Sequence, residues 1–244
     1  MTTTPRSRAE SQWPASPSIS GYQGVVDHLR REISLGRFLP GERLPSERKL
    51  AEQFGVARET VRQALRVLEG GGQITVTRGT SGGALVQDNA PDPELVLHEL
   101  RARRDELLGL VEYRAEIESS AARIAAARRT DADLVAMVRA QDELARATNK
   151  DESRRADTAF HLAVADAAVN PYLARAIEDA RAAMFHPVDL ASFDFVMESS
   201  HTQHQRVLSA IMSHEAADAE RAMRDHIDNT REEMLRVIGG SAPG

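Results

Sequence analysis

The chain has 244 residues, of which 41% are hydrophobic and only 4% aromatic, and it has no cysteine; the length allows two domains, and the missing cysteine excludes disulfides and thiolate metal sites. No apolar run of bilayer-spanning length occurs and no apolar segment near the start reads as a secretory signal, so a cytoplasmic protein with no membrane partner is expected. The net charge of −6 hides an asymmetry, because residues 1–90 carry 12 Lys and Arg against 9 Asp and Glu while residues 91–244 carry 19 against 28, the balance expected if only the first part meets a polyanion.

Residues 1–20, rich in Thr, Ser, Pro and Arg, show no apolar periodicity and are expected to form a disordered leader. From Tyr22 onward, Val25, Val26, Leu29 and Ile33 lie on one helical face, which Gly36 and the Pro40-Gly41 turn terminate. Ser46, behind Pro45, is a predicted N-cap for a second helix with Leu50, Ala51 and Phe54 inward, although Lys49 stands where a capping box needs Glu or Gln. Gly55 breaks that helix, and a third follows with Val61, Leu65 and Leu68 inward, stopped by Gly70-Gly71-Gly72. Ile74 with Val76, and Ala84 with Val86, alternate on either side of Gly79 to Gly83, which predicts a short β-hairpin with a glycine-rich tip. Asp88 to Pro93 is a polar linker, and everything after it carries helical periodicity, roughly 93–102, 104–128, 131–148, 151–168, 171–185, 193–213 and 215–237, with Asp131, Asn170 and Ser192 as predicted N-caps. The expected fold is mainly α: a winged helix-turn-helix of three helices and a hairpin wing over 21–87, a linker at 88–93, an all-α antiparallel bundle of six or seven helices over 94–237, and a tail at 238–244.

The third helix of a winged helix-turn-helix lies in the major groove. Opposite its apolar face, Arg58 and Arg62 are four residues apart, with Thr60 and Gln63 beside them. Arginine can fork onto guanine O6 and N7, and Thr and Gln reach phosphates or base edges. Arg48 opens the preceding helix, where a cation and a helix N-terminus clamp a phosphate, and Arg78 with Gly79 stands at the wing tip. A single exposed arginine is usually a solvated face; here several occur together with the turn, the wing and the linker. The stretch LPSERKLAEQFGVARETVRQALRVLE, followed by GQITVTRG and GGALV, resembles the DNA-binding domain of the GntR family of bacterial regulators. That resemblance implies DNA contact by Arg48, Arg58, Thr60, Arg62, Arg78 and Gly79. Ala57 departs from the Ser or Thr that relatives often carry, which removes an N-cap and one phosphate contact, and Glu59 adds a negative charge near the DNA backbone.

In the second half, Asp157 and His161 are one helical turn apart on a face shared or flanked by Phe160, Val164 and Ala167. His204 is in line with Leu208 and Ile211, and His226 stands beside Met223, Ile227 and Thr230. A lone inward histidine is usually a satisfied core residue. One Asp and three His on three helices form a candidate set for a divalent transition metal, with zinc first and nickel, manganese or iron as alternatives; His201 competes with His204. The segments EYRAEIESSAARIAA, ADTAFHLAVADAAVNPYL, HQRVLSAI and AERAMRDHI resemble the FCD ligand-binding domain of the FadR subfamily over about residues 94–237. The resemblance implies metal binding by Asp157, His161, His204 and His226, and a pocket-facing Arg114 that pairs with an acidic effector; a surface pair with Glu118 is the alternative for Arg114. The expected function is a ligand-responsive regulator, a repressor by resemblance, that binds an inverted-repeat operator as a homodimer and responds to a small carboxylate. The competing readings are a metal-dependent enzyme fused to a DNA-binding domain and an acyl-CoA sensor; the lack of a motif of the HExxH kind weighs against the first, and the full ligand set against the second.

Overall fold

A computed structural model describes residues 21–77, 83–88, 93–188 and 193–239. The expected leader, the wing tip with Arg78 and Gly79, most of the linker, the Ser192 cap and the last residues of the tail lie outside the described residues. The elements run in the order α1 (Gly21–Ser34), α2 (Glu47–Phe54), α3 (Arg58–Gly70), β1 (Ile74–Thr77), β2 (Gly83–Val86), α4 (Pro93–Ala102), α5 (Arg104–Arg128), α6 (Asp131–Arg146), α7 (Lys150–Ala167), α8 (Pro171–Val188), α9 (Phe193–Met212) and α10 (Ala216–Gly239). The chain divides into two compact units: the described residues within 1–30 and 43–87, and those within 31–42 and 88–244.

In the first unit, Val25, Val26 and Leu29 of α1 are buried, as are Leu50 and Ala51 of α2 and Val61, Ala64, Leu65 and Leu68 of α3. The Ser46 side chain accepts from the Lys49 amide at 3.3 Å, so the expected cap forms without its reciprocal partner. Gly55 takes φ 65° and ψ 31°, the left-handed conformation that a residue without Cβ adopts at no steric cost, and this sets the turn into α3. At the head of α3, Ala57 offers no side-chain cap. The two strands pair antiparallel, Ile74 opposite Val86 and Thr77 opposite Gly83, and Arg43 adds an isolated bridge to Leu85.

In the second unit, α5 is central. It packs on α4, α7, α8, α9 and α10, and Leu107, Val111, Ala115, Ala121, Ala122, Ala125 and Ala126 are all buried. Burial on several sides explains why α5 lacks a single apolar stripe, and its alanines let neighbouring helices approach closely. Phe160 and Val164 of α7, Val207, Leu208 and Ile211 of α9, and Met223 and Ile227 of α10 complete the main core. The caps differ in two places from expectation. Thr130, not Asp131, caps α6, in a reciprocal box with Asp133. Asn149 caps α7, accepting from the Asp151 and Glu152 amides, and Asn170 caps α8 as predicted. Residues 31–42, expected with the DNA-binding half, group with the helical unit. There Gly36, at φ 70°, lies so near the Arg155 backbone that a Cβ would come within 3.2 Å of Arg155 Cα, and Arg155 donates to Gly36 O at 2.7 Å.

Candidate functional site

The helical unit brings Asp157, His161, His204 and His226 together, with ligand atoms all within 4.8 Å of one another. Helix α7 supplies Asp157 and His161 one turn apart, α9 supplies His204 and α10 supplies His226. The three histidines are buried. Their Nε2 atoms form a triangle with all sides 3.2 Å. Asp157 Oδ1 lies 3.4 Å from His204 Nε2 and 3.8 Å from His161 Nε2. His201, the competitor for His204, is not a member of the cluster.

The other ring nitrogens decide what this triangle means. His161 Nδ1 meets Glu118 Oε2, His204 Nδ1 meets Gln141 Oε1 at 3.2 Å, and His226 Nδ1 meets Gln203 Oε1 at 2.7 Å. All three are acceptor oxygens, so each Nδ1 carries the proton and donates. Gln141 is held in that orientation because its amide nitrogen donates to His201 O at 3.1 Å. Each neutral imidazole then presents an Nε2 lone pair to the same point, where none of the three can donate to another. Burial pushes all three histidines below their usual pKa, His204 to about 3, so protons do not fill the gap near neutral pH. A cation could satisfy this donor set. An ion ~2.1 Å from three imidazole nitrogens spaces them about 3.0 Å apart at right angles and about 3.4 Å at tetrahedral angles; the observed triangle lies between.

Three further charged side chains complete the site. Arg114 and Glu118, one turn apart on α5, are both buried, and Arg114 Nε donates to Glu118 Oε1 at 2.6 Å. The two alternatives weighed for Arg114 therefore merge: it is paired with Glu118, and the pair is interior. Arg114 Nη1 also points at Met184 Sδ, 2.7 Å away. Arg181 of α8, fully buried, donates to Asp157 Oδ2. Burial alone raises the Asp157 pKa, but the charge of the Arg181 guanidinium works against it, and the carboxyl lies below its usual range. A cleft of about 420 Å³ reaches His226 from outside, between Gln203, Arg206, Asp218, Arg221, Asp225 and Asn229. Sequence reasoning missed Arg181, Gln141 and Gln203, and named Glu118 only as a surface partner in the alternative reading of Arg114. The i,i+4 spacing of Arg114 and Glu118 was the one usable signal; nothing local marks the others.

In the first unit, Arg48, Arg58 and Arg62 are exposed and Thr60 is half-buried at the start of α3. Glu47 and Glu59 lie among the arginines: Arg62 reaches both, and Arg66 Nη2 donates to Glu59 Oε1 at 2.7 Å.

Two family descriptions match the chain, "Bacterial regulatory proteins, gntR family" over residues 21–83 and "FCD domain" over residues 109–229. The chain is 30% identical over 222 residues to the Glc operon transcriptional activator of Escherichia coli K12, covering 86% of this chain and 87% of that protein. It is 31% identical over 225 residues to the Uxu operon transcriptional regulator of the same organism, covering 88% and 86%. Among solved structures, Escherichia coli McbR/YncC shares the fold, with a TM-score of 0.54, 21% identity, and coverage of 88% of this chain and 97% of that one. With the winged helix-turn-helix followed by the helical unit, and with this identity maintained over most of both relatives, the chain belongs to the GntR family of bacterial regulatory proteins and is a DNA-binding transcriptional regulator with an FCD domain.

Proposed function

We propose that the helical unit binds one divalent transition ion through Asp157, His161, His204 and His226, zinc in preference to nickel, manganese or iron, and a small carboxylate effector beside it. The observation that carries this reading is the convergence of three buried Nε2 atoms whose Nδ1 partners are already engaged. When bound, the ion supplies a Lewis-acid centre with positions left for oxygen donors. Around it the chain sets two guanidinium groups, Arg114 and Arg181, against two carboxylates, Glu118 and Asp157, and neutral imidazoles. A dication adds positive charge to a balanced interior, and an anionic effector offsets it. Arg114 is the residue poised to receive that anion, because a carboxylate is a far better acceptor than the thioether its Nη1 now meets.

Arg48, Arg58, Thr60 and Arg62, with Arg78 and Gly79 of the wing, would contact an inverted-repeat operator from a homodimer in the cytoplasm, and repression is the proposed outcome. The exposed face of α3 and the operon-regulator names of the relatives support operator contact; one relative is named an activator and the other a regulator, so the names leave the sign of the response open. A promoter fusion tests the sign: removing the protein should raise transcription, and a fall would assign activation.

Elemental analysis of the purified protein tests the site. It should find about one ion per chain, and His226→Ala should lower that occupancy at least tenfold. Small carboxylates should raise the Tm of the loaded protein, and do so much less after chelation or in Arg114→Ala. Unchanged carboxylate affinity in stripped protein would separate the ion from effector binding and overturn the combined site.

A further inference from the structure

We infer that Glu47 and Glu59 are positioning residues for DNA recognition: together they hold Arg62 so that only its terminal guanidinium edge is free to meet a base. The inference rests on the reading of Arg62 as a base contact. Glu47 lies in the first turn of α2, where a carboxylate suits the helix N-terminus. Its Oε2 accepts from Arg62 Nη2 at 3.1 Å and its Oε1 lies 3.5 Å from Arg62 Nε, a side-on fork between α2 and α3. Glu59 Oε2 accepts from Arg62 Nη1 at 2.9 Å. The guanidinium has five N–H bonds. The two carboxylates engage three of them, one on each nitrogen, and leave one N–H on each terminal nitrogen. With Glu59 on the Nη1 N–H that flanks Cδ, those two are the end-on pair that forks onto guanine O6 and N7, and this is the arrangement the inference requires.

Two acidic groups on a DNA-facing surface repel phosphate, so on charge alone they weaken binding to every sequence alike. A holding role predicts something different. Arg62 is a long side chain with many rotamers, and ordering it before binding removes an entropic cost from the one arrangement that reads a base. Glu59 adds a second restraint, because its Oε1 is anchored by Arg66 at 2.7 Å, and Arg58 Nη2 stands 3.9 Å from Glu47 as a further neighbour. The acids therefore give up general affinity and gain discrimination.

The test compares two duplexes with the full-length protein: one recovered from a random pool by the wild-type chain, and the same duplex scrambled. Glu47→Ala and Glu59→Ala should each lower the ratio of the two affinities, Glu47→Ala by about tenfold, within the range a bidentate base contact supplies, while binding to the scrambled duplex stays equal or tightens. Glu47→Gln, which keeps one acceptor oxygen, should fall between. Because the ratio divides out the folded fraction, a partly unfolded variant still gives an answer. A ratio that stays at the wild-type value, whether both affinities rise, fall or hold, overturns the inference. Arg62→Ala distinguishes the two failures: if it too leaves the ratio unchanged, Arg62 reads no base and the underlying assignment fails, whereas a lowered ratio there with intact ratios in the glutamate variants removes only the holding role.

Discussion

Glu118 gives one carboxylate oxygen to Arg114 and the other to His161 Nδ1, so the proposed effector contact and a proposed metal ligand share a single acid. Such partners fix a histidine's tautomer and raise its basicity. Glu118→Gln keeps the volume but leaves only one acceptor oxygen for two donors. It should weaken zinc binding about 10–100-fold in competition with a chromophoric chelator; unchanged zinc affinity together with a lower Tm would reduce Glu118 to a packing role. The histidines also give the metal-free protein a pH signature. Their folded pKa values lie below the usual 6.5, that of His204 at about 3, because burial disfavours the charged form. Above pH 6.5 neither folded nor unfolded chain protonates them. As the pH falls from 6.5 toward 3 the unfolded chain takes up protons that the folded one refuses, so stability is progressively lost. Urea midpoints of chelator-treated protein should fall across that window in the wild type, and less steeply in His204→Phe.

At the scale of elements, the turn between α7 and α8 carries avoidable strain. Val169 is exposed and adopts φ 52°, the left-handed region that a β-branched residue enters only at a cost of roughly 1–2 kcal/mol. Val169→Asn should stabilise the protein by about 1 kcal/mol and raise Tm by about 2–4 °C in calorimetry; a lower Tm would mean that the valine makes an offsetting contact. The sequence was informative where local chemistry sets a boundary. Ser46, Gly55 and Asn170 end or begin helices because side-chain oxygens and a missing Cβ act on their immediate neighbours. Thr130 was overlooked as a cap because the adjacent Asp131 has the same chemistry. Helical period puts Asp157, His161, His204 and His226 on inward faces, but it leaves His201 open beside His204, and only the resemblance to the FCD domain implied the set of four. Gln141, Gln203 and Arg181 were not legible, because their roles depend on which helix packs opposite, and periodicity along one helix carries no register between helices. The alternative that paired Glu118 with Arg114 at the surface fails for a related reason: α5 is buried on several sides, so the usual rule that an i,i+4 ion pair marks the solvent face does not apply to it.

For the whole molecule, the spacing of the proposed ligands in the chain matters as much as their distances in space. His161 and His204 are 43 residues apart, and His204 and His226 are 22 apart. An ion held by all three closes both loops. In the chain-entropy view, a link across loops of this length restricts the unfolded state by about 3–4 kcal/mol for each taken singly. The chain has no cysteine, so no disulfide can do the same. Hydrogen exchange should therefore slow in concert across α7, α9 and α10 when zinc is added to stripped protein, while amides in α2 and α3 keep their rates; slowing confined to the residues flanking the ligands would show that the ion does not tie the helices into one unfolding unit. The fold would then contain a reversible crosslink governed by the supply of an ion instead of by an oxidant, and the lifetime of the folded regulator would follow metal availability even when no effector is present.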